Sequence, residues 1–144
     1  MSNISKQLIV PYSANQMFDL VVNIEHYPSF LPWCGGAQVF KKTDHELDGT
    51  ITIAYKGLSQ SFRTHNHHEH PTRMTMNLVD GPFTHFCGQW QFTDIAGGGC
   101  QVHFKLDYAF KNFLLKMTVG SVFETIAKTL IDSFVQEAHK RYRV

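Results

Sequence analysis

The sequence predicts an α+β fold in which a curved antiparallel sheet of about six or seven strands packs against one long C-terminal helix. Two patterns indicate this fold. Near the C-terminus, apolar residues recur three and four positions apart, which places them on one face of an α-helix. Between residues 37 and 110, short segments that alternate apolar and polar side chains are separated by glycine, proline and aspartate, as in antiparallel strands joined by turns. A twisted sheet of this size curls, and its concave face can hold a helix.

The composition fits a single domain covering residues 1–144. Charged residues make up 17% of the 144 residues, and the formal net charge is +1, which argues against a DNA partner. The three cysteines form no Cys-x-x-Cys pair, no apolar run is long enough to span a membrane, and Met1–Lys6 lacks the features of a signal peptide. We therefore expect a cytoplasmic protein with reduced thiols and no transmembrane segment.

A strand and two short helices are predicted at the start of the chain. The strand, Ile4–Val10, ends at Pro11. Ser13 and Gln16 have the spacing of a capping box, which marks the start of a helix. The inner face of this helix carries Met17, Phe18, Val21 and Val22. A second short turn is predicted over Ile24–His26.

The segment Tyr27–Gly36 combines two prolines and two glycines with large apolar side chains. We predict an irregular loop here, because proline and glycine interrupt regular structure. An aromatic loop of this kind either plugs the end of a core, which is the commoner case, or closes a ligand pocket.

Six further strands are predicted after this loop. They are Ala37–Lys42, Glu46–Tyr55, Leu58–Glu69, Arg73–Val79, Thr84–Asp94 and Gln101–Phe110. In the last two, one face is apolar and the other polar, as in a sheet that is covered on one side. Gly97, Gly98 and Gly99 join two strands, so we predict a hairpin turn there rather than a phosphate-binding loop.

The segment Asn112–Tyr142 is predicted as one helix of roughly 45 Å, at about 1.5 Å per residue. Its apolar sector covers roughly 200° of the helix circumference, so most of it should be buried. Glu137 and Arg141 interrupt the apolar sector, so we expect the last turns to extend beyond the sheet. Gly120 is expected to be either a close-packing point or a place where the helix bends.

No catalytic or metal site is predicted. The tract His65–His70 has four histidines and one glutamate, but a tight metal site needs three or four convergent ligands. We expect this tract to face water at a strand end. Cys34 and Cys87 lack the sequence signature of a catalytic cysteine, and no paired carboxylates occur. The chain is therefore not predicted to be an enzyme.

A hydrophobic ligand site between helix and sheet is the positive prediction. The large apolar side chains are more numerous than a thin layer of sheet and helix requires, so they either form a close-packed core or line a ligand cavity. The candidate ligand-binding residues are Phe30, Trp33, Phe83, Trp90, Phe104, Val119, Val122, Phe123, Ile126 and Leu130.

Two segments, Tyr27–Cys34 and Gly81–Phe92, resemble the signature stretches of the coenzyme Q-binding/RatA family of START-like domains, a group also described as SRPBCC or polyketide cyclase/dehydrase-like. The entry to the last helix, Phe110–Leu115, is similar as well. The resemblance covers essentially the whole chain and implies the helix-grip fold, also known as Bet v 1-like. The His65–His70 tract is not a feature of that family.

The resemblance implies two functions. Mitochondrial members bind ubiquinone or related polyprenyl lipids and support respiration as carriers. Bacterial members of the RatA type associate with the large ribosomal subunit and block subunit joining. We expect a quinone or similar lipid as the ligand, no required cofactor, and a transient contact with membranes. A cyclase/dehydrase activity ranks third, because it needs polar groups inside the cavity and the inward faces are predicted to be almost purely apolar.

A ribosome partner would require a basic surface, since phosphate contacts dominate such binding. The candidate residues for this contact are Lys128, Lys140, Arg141 and Arg143. Lys111 and Lys116 add positive charge at the start of the helix. Cations near the C-terminus of a helix are also favoured by its dipole, so the pattern does not by itself require a partner.

Overall fold

The computed structural model describes residues 2–142 as one seven-stranded antiparallel sheet, a 3₁₀ helix and two α-helices. The helices are α1 (Ala14–Val22), the 3₁₀ helix (Ile24–Ser29) and α2 (Phe113–Arg141). The strands are β1 (Ser2–Val10), β2 (Cys34–Lys42), β3 (Glu46–Tyr55), β4 (Leu58–Glu69), β5 (Arg73–Asp80), β6 (Phe83–Asp94) and β7 (Cys100–Phe110). No helix among residues 2–142 is long and apolar enough to cross a membrane.

The sheet order is β1-β7-β6-β5-β4-β3-β2, so β1 and β2 form its two edges. The connection between these strands therefore crosses one end of the sheet, and it consists of α1 and the 3₁₀ helix. The predicted α+β fold is confirmed, with seven strands around the terminal helix.

The capping box at the start of α1 forms as predicted. The Gln16 backbone N–H donates to Ser13 Oγ at 3.1 Å, and the Ser13 N–H donates to Gln16 Oε1 at 2.9 Å. The Ala14 N–H donates to Asp94 Oδ1 at 2.8 Å, which ties the first turn of α1 to the end of β6. Met17 and Val21 are fully buried, so α1 closes one end of the core.

The prediction of an irregular loop over Tyr27–Gly36 is wrong at both ends. The 3₁₀ helix continues through Pro28, whose fixed φ is compatible with a short helical segment. The strand β2 begins at Cys34, three residues earlier than predicted. Gly35 allows this early pairing, because a Cβ atom there would lie 2.7 Å from the Cβ of Ala54 on β3.

The start of α2 is solvent-exposed, and its last turns, which were predicted to extend beyond the sheet, bury Ala138 but leave Lys140 and Arg141 exposed. Asn112 caps the helix by accepting a hydrogen bond from the Leu115 N–H at 2.9 Å. The next turn is solvent-exposed: Phe113, Leu114 and Met117 are 75%, 69% and 64% exposed.

The last turns of α2 are covered because α1 and the segment before it extend the packing surface beyond the sheet. Ala138 is completely buried, and the rings of Tyr12 and His139 lie 5.4 Å apart. Glu137 and Arg141, which interrupt the apolar sector, pair with each other at 2.6 Å, and the Arg141 guanidinium lies over the Phe30 ring.

Gly120 is not the close-packing point that the sequence suggested. A Cβ atom at this position would lie 3.7 Å from the Phe110 ring and 3.8 Å from the Lys116 side chain, which is ordinary van der Waals contact. The helix is continuous through this residue.

Candidate ligand-binding cavity

A cavity of about 60 Å³ lies between the concave face of the sheet and the middle of α2. It is lined by 18 residues, most of them apolar, from β3 to β7, the 3₁₀ helix, the Trp33 segment and α2. Both tryptophans of the chain, Trp33 and Trp90, belong to this lining. The helix contributes Phe123, Ile126, Ala127 and Leu130.

The structure brings six of the ten candidate ligand-binding residues to this cavity. They are Trp33, Trp90, Phe104, Phe123, Ile126 and Leu130. The other four lie outside its lining. Phe83 is stacked on Phe110, with ring centroids 5.0 Å apart, and Val119 is buried nearer the start of α2. Phe30 packs against Phe134, and Val122 lies on the outer side of α2.

A second space, an open groove of about 670 Å³, runs along the outer side of α2. Its other wall is formed by Pro32, Trp33, Tyr55 and Lys56. Trp33 and Ile126 line both the groove and the inner cavity. These two side chains therefore form the partition between the enclosed space and the surface.

One wall of the cavity is polar, which the sequence analysis missed. Thr64 and Asn66, on β4, are only 5% and 2% exposed and both line the cavity. Thr64 Oγ1 donates a hydrogen bond to Asn66 Oδ1 at 2.9 Å. The prediction of almost purely apolar inward faces is thus wrong at this strand. The signal was present in the alternation of β4, where Phe62, Thr64, Asn66 and His68 share one face.

His68 is buried, although the His65–His70 tract was predicted to face water. Its ring packs edge-on against Phe18 with centroids 6.0 Å apart, and within residues 2–142 no group hydrogen-bonds its Nε2. Burial lowers the pKa of His68 below its ordinary value of 6.5, because the charged form loses its hydration. Two other histidines of the tract lie near carboxylates: His65 is 3.1 Å from Glu46 and His70 is 3.7 Å from Asp19. No group of three potential metal ligands is found among the described residues.

We expect His68 to make the folded state sensitive to acid. Below pH 6.5 the histidine of the unfolded chain binds a proton that the buried side chain does not, so the free energy of unfolding falls as the pH falls. A single group of this kind contributes a slope of up to about 1.4 kcal/mol per pH unit. The variant His68→Leu should show a smaller loss of stability between pH 7 and pH 5, measured by urea unfolding. The control is His67→Leu, because His67 is exposed. If the free energy of unfolding falls equally with pH in both variants, His68 is not the source of the acid sensitivity.

The buried thiols are protonated at neutral pH. Burial, helped by nearby Asp94, raises the pKa of Cys100 to about 11. Burial also raises the pKa of Cys34, whose thiol donates a hydrogen bond to the Gly36 carbonyl. Since the thiolate is the nucleophilic form, neither cysteine is activated for covalent chemistry.

Two of the predicted ribosome-contacting residues are paired with acidic side chains. Lys128 pairs with Glu124 at 2.6 Å, and Arg141 pairs with Glu137. Lys140 is exposed and forms no ion pair with the other described residues. Arg143 lies outside the described residues.

The family of the protein follows from comparison with known sequences. Residues 10–135 match the model of the family described as polyketide cyclase/dehydrase and lipid transport. The chain belongs to this family. Its match extends over most of the sheet and most of α2, so the cavity lies within the matched region.

Two relatives show which branch of the family this chain resembles. The ribosome association toxin RatA of Escherichia coli K12 is 36% identical over 142 residues, covering 99% of this chain and 90% of that protein. The mitochondrial coenzyme Q-binding protein coq10 of Schizosaccharomyces pombe is 25% identical over 143 residues, covering 94% of this chain and 86% of that protein. The resemblance to the coenzyme Q-binding/RatA family is confirmed.

The fold is shared with solved structures. The Zhui aromatase/cyclase from Streptomyces sp. R1128 superposes with a TM-score of 0.86 at 11% identity, covering 99% of this chain and 96% of that one. At this identity the likeness concerns the fold alone, and it confirms the helix-grip arrangement.

Proposed function

We propose that the protein binds a quinone or a similarly apolar lipid between the sheet and α2 and acts as its carrier. The observation that supports this most is the enclosed, mostly apolar cavity that one partition separates from an open groove. Removing about 400 Å² of apolar ligand surface from water yields about 10 kcal/mol before the costs of association. That is sufficient for lipid binding with few polar contacts.

The partition must open for a ligand to bind. The cavity of about 60 Å³ is smaller than the roughly 300–1,000 Å³ of ligand pockets. Displacement of the Trp33 and Ile126 side chains joins it to the groove, so that a ring occupies the inner space and a tail follows the outer side of α2. The Trp33 carbonyl accepts a hydrogen bond from the Ala54 N–H at 2.8 Å. The backbone is therefore held at this point while the indole side chain can rotate.

The side chains that face the cavity are suited to a lipid carrier and not to an enzyme. The polar side chains of Thr64 and Asn66 do not exchange protons near neutral pH. Tyr27 also lines the cavity, but burial raises the pKa of its hydroxyl far above neutral, and this hydroxyl donates to the Val21 carbonyl. The proposal requires no cofactor besides the bound lipid.

The proposal is tested by solvent extraction of the protein purified from its native host, followed by mass spectrometry. A quinone or another polyprenyl lipid should be recovered in near-stoichiometric amount, and its addition to the extracted protein should raise the melting temperature. A protein that yields no lipid and shows no thermal shift with quinone is not a carrier of this class.

Association with the large ribosomal subunit is the second candidate function, favoured by the 36% identity to RatA over nearly the whole chain. We propose a cytoplasmic location for the protein with either function. We expect the protein to comigrate with the large subunit on a gradient at low salt and to dissociate at moderate salt.

The triple variant Lys140→Glu, Arg141→Glu and Arg143→Glu tests the surface at the end of α2. It should lose comigration with the large subunit while keeping quinone binding, since Lys140 and Arg141 do not line the cavity. If the variant still comigrates with the large subunit, the end of α2 is not the surface that binds it.

A transient membrane contact stays a prediction, and the exposed start of α2 is the surface that would make it. Phe113, Leu114 and Met117 project from a turn that contains Lys116 and follows Lys111. Apolar side chains flanked by lysines suit the surface of an anionic bilayer. Co-sedimentation with vesicles containing phosphatidylglycerol, compared with phosphatidylcholine vesicles, tests this contact.

A further inference from the structure

We infer that Thr64 and Asn66 form a head-group site, and that the ligand they select is a neutral apolar molecule carrying a carbonyl oxygen. This inference rests on the proposed function and specifies the chemistry of the ligand. Both side chains are buried on β4 and line the cavity.

The hydrogen bond between the two side chains leaves donors available. Thr64 uses its hydroxyl proton on Asn66 Oδ1, at 2.9 Å. The Asn66 Oδ1 atom therefore already accepts a hydrogen bond. The Nδ2 group of the same side chain carries two N–H donors. Among the hydrogen bonds of residues 2–142, none uses Asn66 Nδ2 as a donor. The pair therefore presents N–H groups that require an acceptor.

The residues around Asn66 make it costly to leave these N–H groups without an acceptor. On the neighbouring strands, Asn66 is paired with Leu47 of β3 and Met76 of β5. Besides Asn66, the polar side-chain groups of the lining are the Thr64 hydroxyl, the engaged Tyr27 hydroxyl and the indole N–H groups of Trp33 and Trp90. In such an environment an unpaired amide donor is costly, and a ligand acceptor that satisfies it gains affinity.

The same lining excludes other ligand classes. Among residues 2–142, no lysine, arginine or histidine lines the cavity, so the carboxylate of a free fatty acid would be buried without a counter-charge. A hydrocarbon would leave the Asn66 donors unpaired. A quinone or ketone oxygen satisfies them without bringing a charge, so the site distinguishes a carbonyl-bearing ring from an alkyl ring of the same size.

The test compares two probes, a decyl-substituted benzoquinone and decylbenzene, by isothermal titration calorimetry. The wild-type protein should bind the quinone about tenfold more tightly than the hydrocarbon. The double variant Thr64→Val/Asn66→Leu should lose this preference. Because both hydrogen-bonding partners are replaced by apolar groups of similar shape, the variant should remain folded and at least as stable as the wild type.

The matched control is Thr52→Val/Ser61→Ala. It removes a hydroxyl pair on the same hairpin, Thr52 Oγ1 to Ser61 Oγ at 2.7 Å, that lies outside the cavity. This control should keep the preference for the quinone.

The outcomes separate the inference from the proposed function. If the wild type binds neither probe, the carrier proposal itself fails. If it binds both probes equally, or if the double variant keeps the preference, the head-group site is refuted while lipid binding stands. Infrared spectroscopy of the wild type provides a second measurement that needs no variant. The carbonyl stretch of the bound quinone should lie below its value in hydrocarbon solvent, and an unshifted band would overturn the inference.

Discussion

Replacing Phe123 with alanine is expected to lower the free energy of unfolding by about 3–5 kcal/mol. The Phe123 ring is the centre of an aromatic cluster that joins α2 to the sheet. Its centroid lies 4.8 Å from that of Tyr108 and 5.1 Å from that of Phe83. The side chain is buried, so truncation removes these contacts and leaves a cavity that the surrounding rings cannot fill.

Urea unfolding of Phe123→Ala, beside the control Phe113→Ala, measures this effect. Phe113 lies in the same helix but is 75% exposed, so its truncation should change stability by no more than about 0.5 kcal/mol. A loss below about 1 kcal/mol at Phe123 would contradict the assigned packing. The same cluster implies that a charged residue at Phe123 would disrupt the fold, so ligand binding has to be tested at other positions.

Replacing Ala127 with leucine is expected to abolish quinone binding while leaving the fold intact. Ala127 lies on the inner side of α2, is buried, and lines the cavity of about 60 Å³. Leucine adds three carbon atoms to this space. The overpacking should cost about 1–3 kcal/mol of stability, whereas the affinity for a quinone ring should fall by at least about tenfold.

The control for this variant is Ala96→Leu, the same chemical change at an exposed turn position between β6 and β7. It should bind quinone like the wild type. Binding by Ala127→Leu at wild-type affinity would show that the ligand does not enter the space beneath α2, even if the protein binds lipid elsewhere.

The strands were largely predictable from the sequence because their turns are marked by local chemistry. The bounds of β3 and β4 are as predicted, since Lys56 and Gly57 between them adopt positive φ and end both strands. The strand β2 was predicted to be too short because Gly35 and Gly36 were interpreted as loop residues. The role of Gly35 is to let β2 approach β3, which becomes visible only when the partner strand is in place.

The course of α2 shows why tertiary contacts escape a pattern analysis. Periodicity identified the helix and its buried sector, but it did not show that the first turn is exposed or that Ala138 near the end is covered. The covering of Ala138 depends on Tyr12 and α1, which are distant in sequence. The exposure of Phe113 and Leu114 depends on where the sheet ends beneath the helix, which no local pattern reports.

The candidate site was predictable in its apolar part and missed in its polar part. Large apolar residues on the last two strands and on α2 identified the cavity, and six of the ten candidates line it. Thr64 and Asn66, which form this polar part, were overlooked, and His68, which lies outside the cavity lining, was assumed to face water near a strand end. The alternation of β4 places them on the inner face, and applying the same period to polar residues would have identified them.

The most direct measurement of the central claim is a fluorescence titration of the wild-type protein with a decyl-substituted benzoquinone. Quinones quench tryptophan emission at close range, and both tryptophans, Trp33 and Trp90, line the cavity. We predict saturable quenching with one ligand per chain, which Ala127→Leu prevents. Quenching that rises linearly with quinone concentration, equals that of free N-acetyltryptophanamide and is the same in Ala127→Leu would show that no ligand enters the space between the sheet and α2.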